Sequence, residues 1–333
     1  MSIYTDKFNF CSCFLLIKLP VIDMQYTAVI RTLGTAGQKY QQTLDSLVNQ
    51  TIPPHDILVY IAEGYPLPKE TCGKEKYIYV KKGMVAQRAL PYNEVKTEWM
   101  LLLDDDVYLP NSGVECLFKA INEHNVDIVS PNTFENHKMG NIERIHNALL
   151  YKAVPSKNEK WAYKVLTSGG FLYKSNPTED FYRSESNAGP CSLWRKQDFL
   201  NIHFEDEIDW LDSAPYALPD DQVMFYKAHK IGLKIGTVFN SGIIHLDAGT
   251  SVEHNLERSM KLLYSDIRNQ ILFCRKYVWG NEHGIKRFLL KFPLNYSLTI
   301  RFAFALRQLL MGNNSQIKTF FKAVRDARAY TGF

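Results

Sequence analysis

Trp99-Met100-Leu101-Leu102-Leu103-Asp104-Asp105-Asp106-Val107-Tyr108 is the stretch on which the fold turns. Five large apolar residues run without a polar break and stop at three consecutive carboxylates. An unbroken run of this kind reads as a strand buried on both faces, as in a parallel sheet. Unpaired carboxylates are too costly to follow it into a core. They belong at the strand's carboxyl end, where open α/β sheets bind ligands. Crowded carboxylates are relieved by a hard divalent cation, which prefers oxygen ligands. Read alone, the triplet is equally a solvated acidic turn in which Asp106 or Asn111 opens the next helix, so its neighbours must decide.

Upstream, Tyr26–Ile30 and Ile57–Ala62 are two further apolar runs, and Tyr77–Val80 is a shorter one. Between the first two, Tyr40, Leu44, Leu47 and Val48 recur at helical spacing over Gln38 to Gln50, and Pro53-Pro54 ends the helix. A second helix is predicted over Val85 to Val95 despite Pro91. Strands alternating with helices and ending in polar residues argue for βαβ units and a mostly parallel sheet. Downstream, Val114–Asn122 reads as helix and Val126–Ser130 as strand. Asn132 to Gly189 reads as loops and antiparallel strands at one side. Cys191–Trp194 is predicted as strand running into helix, Asp220–Lys230 as helix after Pro219 with Gly232 past its end, and Leu233–His245 as two short strands. Glu257–Tyr277 is a longer helix, and Gly284–Tyr330 forms amphipathic helices, seated either on the domain or at a membrane interface.

Composition excludes some classes. Of the 333 residues, 46% are hydrophobic and 22% charged, ordinary for a globular chain and unlike a disordered one. The net charge of +4 does not suggest nucleic acid, but it is uneven: Ser251–Phe333 carries +9 and residues 1–250 carry −5. That asymmetry fits an acidic catalytic body with a basic tail. The six cysteines are scattered, with neither zinc-site nor disulfide spacing, so a reducing cytoplasm is the expected home. No apolar run reaches the roughly 18 residues of a membrane span. Phe14–Ile17 is short and broken by Lys18 and Pro20, and Met24 directly precedes the first convincing strand, so residues 1–23 read as an extension the fold does not need.

The order of these features resembles the family 2 inverting glycosyltransferases with the GT-A fold. The resemblance rests on Arg31-Thr32 after the first strand, Ala86-Gln87-Arg88, Leu103 to Asp106, Gly189 with Trp194-Arg195, Pro219-Asp220-Asp221, His245, and Tyr264…Arg268-Asn269, and it covers roughly residues 24–280. It implies a Rossmann-like GT-A domain over 24–250, with a nucleotide-sugar half (24–130) and an acceptor half (131–250), followed by a basic helical region over 251–333. It further implies transfer of a sugar from a nucleotide-diphosphate donor to a glycan or lipid-linked acceptor, in polysaccharide or lipopolysaccharide assembly of the bacterial type.

By the same resemblance, Asp104 and Asp106 are the Asp-X-Asp pair, with Asp106, Asp104 and His245 on Mg²⁺ or Mn²⁺ and Asp104 and Asp105 toward the donor. Arg31 and Thr32 would line the nucleotide pocket, and Arg88 would approach the diphosphate or the aspartates. Family members usually end the second strand with aspartate; here Glu63 is the nearest acidic stand-in, and the base stays open. Asp221 would be the general base, with Asp220 second, and both also suit a helix start, where carboxylates complement the dipole. Gly189, Trp194 and Arg195 would meet the acceptor, with Trp194 equally a core residue. The basic tail is expected on the inner leaflet of the plasma membrane. The competing readings are a nucleotidyltransferase, for which Gly34–Gly37 is a weak phosphate loop, and a non-catalytic sugar-nucleotide or glycan-binding protein.

Overall fold

The computed structural model describes residues 23–133, 140–157, 160–246 and 255–332. Nearly all of the 1–23 extension, with Cys11 and Cys13, falls outside them. In chain order come β1 (Tyr26–Thr32), α1 (Gln38–Val48), β2 (Asp56–Ala62), β3 (Glu75–Val80), β4 (Trp99–Asp104), the short β5 (Val107–Tyr108), α2 (Gly113–His124) and β6 (Ile128–Pro131). They are followed by α3 (Asn141–Leu149), β7 (Ala153–Ser156), β8 (Tyr163–Val165), β9 (Phe171–Lys174), β10 (Phe181–Ser184) and β11 (Cys191–Arg195). Next are α4 (Lys196–Asn201), α5 (Ile208–Leu211), α6 (Asp220–Lys230), β12 (Ile235–Val238) and β13 (Ile244–His245). The C-terminal region is helical: α7 (Leu256–Phe273), α8 (Gly284–Leu310) and α9 (Ser315–Ala329).

The central sheet has the order β10-β12-β6-β11-β4-β1-β2-β3. Six of its strands share one direction, and β10 and β11 oppose it. This is the mostly parallel α/β sheet with a helical C-terminus that the apolar runs predict. Side chains alternate across each strand. Ala28, Ile30, Leu101 and Leu103 face α1 and α2, whereas Val29, Met100 and Leu102 face α4, α5, α6 and α7. A strand buried on both sides needs apolar residues at both parities, which is why Trp99–Leu103 has no polar break. Each such side chain contributes roughly 1.5–3 kcal/mol on burial.

Two expectations fail here. Val85–Val95 is a series of turns, held by the Ala89 N–H to Val85 carbonyl bond of 2.7 Å and by Tyr92 in the left-handed region (φ 48°). Pro91 prevents a continuous helix, and the Asp212 carboxylate takes the Val85 and Ala86 N–H groups at 3.0 and 2.9 Å. The irregular region also contains a helix, α3, beside the three-stranded sheet β7-β9-β8. In the tail, α9 packs on α7 and α8 through the buried Ala323 and Ala327. Among the described residues Cys72, Cys116, Cys191 and Cys274 are free thiols.

Candidate active site

Because β1 and β4 are parallel neighbours in the register Arg31↔Asp104, the polar residues that end them arrive together at one edge of the sheet. They open a cleft of about 530 Å³ lined by Arg31, Thr32, Asp104, Asp105, Asp106 and His245. The chain turns at Asp105-Asp106 into β5, which pairs with β13, and Leu246 N–H bonds the Asp106 carbonyl at 2.8 Å. This two-stranded pairing carries His245 from far along the chain to the triplet. Its Nε2 lies 2.9 Å from Asp106 Oδ1. Ligand atoms of Asp104, Asp106 and His245 all fall within 4.8 Å of one another. Two carboxylates and an imidazole in that space are a donor set suited to Mg²⁺ or, with the nitrogen ligand, Mn²⁺.

The three aspartates are not equivalent. Asp104 is half-buried, and its partial desolvation alone would raise its pKa, but the Arg31 and Arg88 guanidiniums hold it below the usual carboxylate range. Arg31 meets it in a two-pronged pair, Nε to Oδ1 at 2.5 Å and Nη2 to Oδ2 at 3.2 Å. Asp105 is pushed up to about 6, chiefly by burial and further by Asp104 and Asp106, against a hydrogen bond donated by Thr32 Oγ1. Asp106 is left facing His245.

A second acidic group starts α6. Asp220 is buried, 3.5 Å from Arg88 and 3.8 Å from Arg31. Burial, then the adjacent Asp221, push its carboxyl up to about 6 although Arg88 opposes this. Asp221 is one-third exposed, pairs with Arg88, and accepts the Gly189 N–H at 2.9 Å. A Cβ at residue 189 would fall on the Asp221 carboxylate, so only glycine permits this approach. Arg88 also reaches Asp104 at 3.5 Å and thereby links the two acidic groups. It meets aspartates, one of its two expected partners, and is absent from the cleft lining.

Three expected contacts move. Trp194 is fully buried between Phe199 and Phe225, its Nε1 donating to Ser192 Oγ at 2.8 Å. Arg195 lies opposite Trp99, at the far end of β4 from the aspartates, bonded to Glu98 at 3.0 Å. The reason is that β11 runs antiparallel to β4: Gly189 enters beside the cleft and the strand then leads away from it. Glu63 is exposed at the end of β2 and is not part of the cleft lining. Lys82 stands at the cleft instead, its Nζ 2.6 Å from Tyr65 OH and 4.8 Å from that ring's centre.

Sequence reasoning missed Lys39, Lys82, Gln87 and Asp212. The first three line the cleft, and Gln87 Nε2 donates to the Thr32 carbonyl at 3.1 Å. Lys81-Lys82-Gly83, a basic pair and a glycine directly after a strand, was a readable signal for one of them. Asp212 caps the turn that carries Gln87 and Arg88, and the α7 residues named in the resemblance hold Asp212's own segment. Arg268 donates to the Trp210 carbonyl at 2.7 Å and to Ser213 Oγ at 2.9 Å, and Ser265 Oγ accepts the Tyr216 N–H at 3.1 Å.

No protein-family model and no curated protein sequence matches this chain. Among solved structures it is similar to GalNAc-T7 with UDP, GalNAc and Mn²⁺, at 14% identity and a TM-score of 0.48, covering 78% of this chain and 48% of that one. The chain thus spans about half the length of that protein. It is also similar to S. aureus TarS 1–349 in complex with UDP-GlcNAc, at 15% identity and a TM-score of 0.45, covering 91% and 80%. TarS 1–349 alone gives 14% identity and 0.45 over 84% and 72%.

Proposed function

We propose that the protein is a metal-dependent glycosyltransferase of the GT-A kind, built on residues 24–250, that works with inversion on a glycan or lipid-linked hydroxyl in the cytoplasmic stage of cell-surface polysaccharide assembly. The observation that carries this reading is the pairing of two acidic groups at one end of a parallel sheet: Asp104, Asp106 and His245 in ligand geometry, and Asp221 held beside them through Arg88.

The two groups divide the labour. Asp104, Asp106 and His245 would hold Mg²⁺ or Mn²⁺, which when bound neutralises the charge of a departing diphosphate. Lys39 and Lys82 add positive charge around the same cleft. Asp221 accepts the proton of the acceptor hydroxyl as that oxygen attacks the anomeric carbon from the face opposite the diphosphate. Arg88 and the Gly189 N–H fix the direction of its lone pairs, while buried Asp220 keeps Arg88 in place.

The test is turnover of a panel of nucleotide sugars with acceptor extracts, with Mn²⁺ or Mg²⁺ and with a chelator. Nucleoside diphosphate should appear only with metal and vanish in Asp106→Asn, and nuclear magnetic resonance of the product should show an inverted anomeric centre. Full activity under chelation contradicts the metal role. Pyrophosphate as product would make the protein a nucleotidyltransferase, and saturable donor binding with no product would make it a binding protein.

A further inference from the structure

α8 is two different helices joined at Pro293. Beyond the proline, buried Leu294, Ser297, Arg301 and Ala305 recur at helical spacing and seat it on the body; Ser297 Oγ bonds the Leu150 carbonyl at 2.6 Å and Arg301 meets Asp266 at 2.9 Å. Before the proline, Gly284–Phe292 contains no buried residue. Ile285, Phe288 and Phe292 are 79%, 73% and 70% exposed, and their spacing of three and four puts them on one stripe with Leu289 and Tyr296.

α3 repeats the pattern. None of its residues is buried, and Ile142, Ile145 and Leu149, again three and four apart, are exposed, Ile142 at 86%. The two helices come from distant parts of the chain yet meet: Tyr151 and Tyr296 make an edge contact at 5.5 Å, and His146 lies 5.0 Å from the Phe304 ring. Both helices therefore present exposed apolar stripes, and they touch through the second half of α8. Patches of this extent on a soluble face mark an interaction site.

We propose that this joint α3–α8 face lies on an anionic lipid bilayer. Charge selects the occupant. α8 contains Lys286, Arg287, Lys291, Arg301 and Arg307 and no acidic residue. Arg301 is occupied with Asp266 inside the body and Lys286 pairs with Glu282 at 2.7 Å, which leaves Arg287 and Lys291 beside the exposed stripe and Arg307 farther along. A second copy docked through the same face would bring like charges together. Anionic headgroups complement them, and apolar residues set among cations on a helix are the signature of a helix lying in the interface. No helix among the described residues is long and apolar enough to cross a membrane, so the contact is a surface one. Nothing in this inference depends on the chemistry assigned to the cleft.

The test uses the full chain and sedimentation with vesicles of phosphatidylcholine alone or mixed with phosphatidylglycerol. Binding should be about thirtyfold tighter to the anionic vesicles, given two unpaired cations beside the stripe. Ile145→Glu on α3 and Phe288→Glu on α8 should each weaken it at least tenfold while circular dichroism and turnover of soluble substrate stay as in the native chain. The double variant Arg287→Glu, Lys291→Glu should lose the preference for anionic lipid. Equal binding by native protein, Ile145→Glu and Phe288→Glu overturns the proposal. So does a native protein that ignores anionic vesicles, or one that sediments as a dimer which Phe288→Glu dissociates.

Discussion

Asp266, half-buried, and Asp220, buried, both lie beside guanidinium groups, and their surroundings drive them in opposite directions. Asp266, where the helical tail joins the body, meets Lys152 at 3.0 Å and Arg301 at 2.9 Å. Burial would raise its pKa, but the two cations outweigh it and hold it at about 2. Glu207 repeats the arrangement with Lys227 and Lys276 at 2.6 and 2.8 Å. In these clamps one carboxylate has two cations. At the cleft, five carboxylates, Asp104–Asp106 and Asp220-Asp221, share Arg31 and Arg88, and two of them, Asp105 and Asp220, are pushed up to about 6. The clamps are electrostatically complete. At the cleft the carboxylates outnumber the guanidiniums that pair with them, an arrangement a bound cation would complete.

Substitutions on the two sides should therefore fail differently. The largest effect is expected for Asp221→Asn, which should lower kcat by about 10²–10⁴-fold, with donor affinity by calorimetry and thermal stability close to native. Glu207→Gln should do the reverse. It removes the buried carboxylate that two half-buried lysines share and should cost about 3–5 kcal/mol in denaturant unfolding, with kcat of the folded fraction unchanged. Gly189→Ala pushes the Asp221 carboxylate aside and should lower kcat by about 10²-fold with a smaller loss of stability.

The pH dependence gives the smallest effect but contrasts the two regions most sharply. Asp266 is lowered from an ordinary 3.8, so its stabilising contribution is present above that value and lost as pH falls toward 2. Asp220 is raised, so its contribution is present below 3.8 and lost as pH rises through about 6. In melting curves, the deficit of Asp266→Asn against native should shrink on acidification. Asp220→Asn should instead gain on native as pH rises from 4 to 7.

How much of this was readable depends on whether a feature is carried by the local chain. Trp99–Asp106 announced a doubly buried strand and its polar end because both follow from consecutive residues. Asp220-Asp221 after Pro219, and His245 after Ile243-Ile244, were legible for the same reason. Strand direction was not. Cys191–Trp194 reads as a strand, but only its antiparallel pairing with β4 shows that Gly189 reaches the cleft while Trp194 and Arg195 point away. The 85–95 segment carries apolar spacing that suits a helix, but Pro91 breaks it, and its start is anchored by the carboxylate of Asp212, more than a hundred residues away. Arg88 was legible as a site residue. Its role was not, because its partners Asp220 and Asp221 come from another element.

The central claim is that Asp104, Asp106 and His245 form a cation site serving a nucleotide diphosphate. Manganese titration followed by electron paramagnetic resonance tests it directly, on native protein and Asp106→Asn, each with and without nucleoside diphosphate. The native protein should bind Mn²⁺ more tightly when the nucleotide is present, and Asp106→Asn should weaken binding by at least about tenfold. Equal Mn²⁺ affinity in the two proteins, unaffected by nucleotide, would contradict the account.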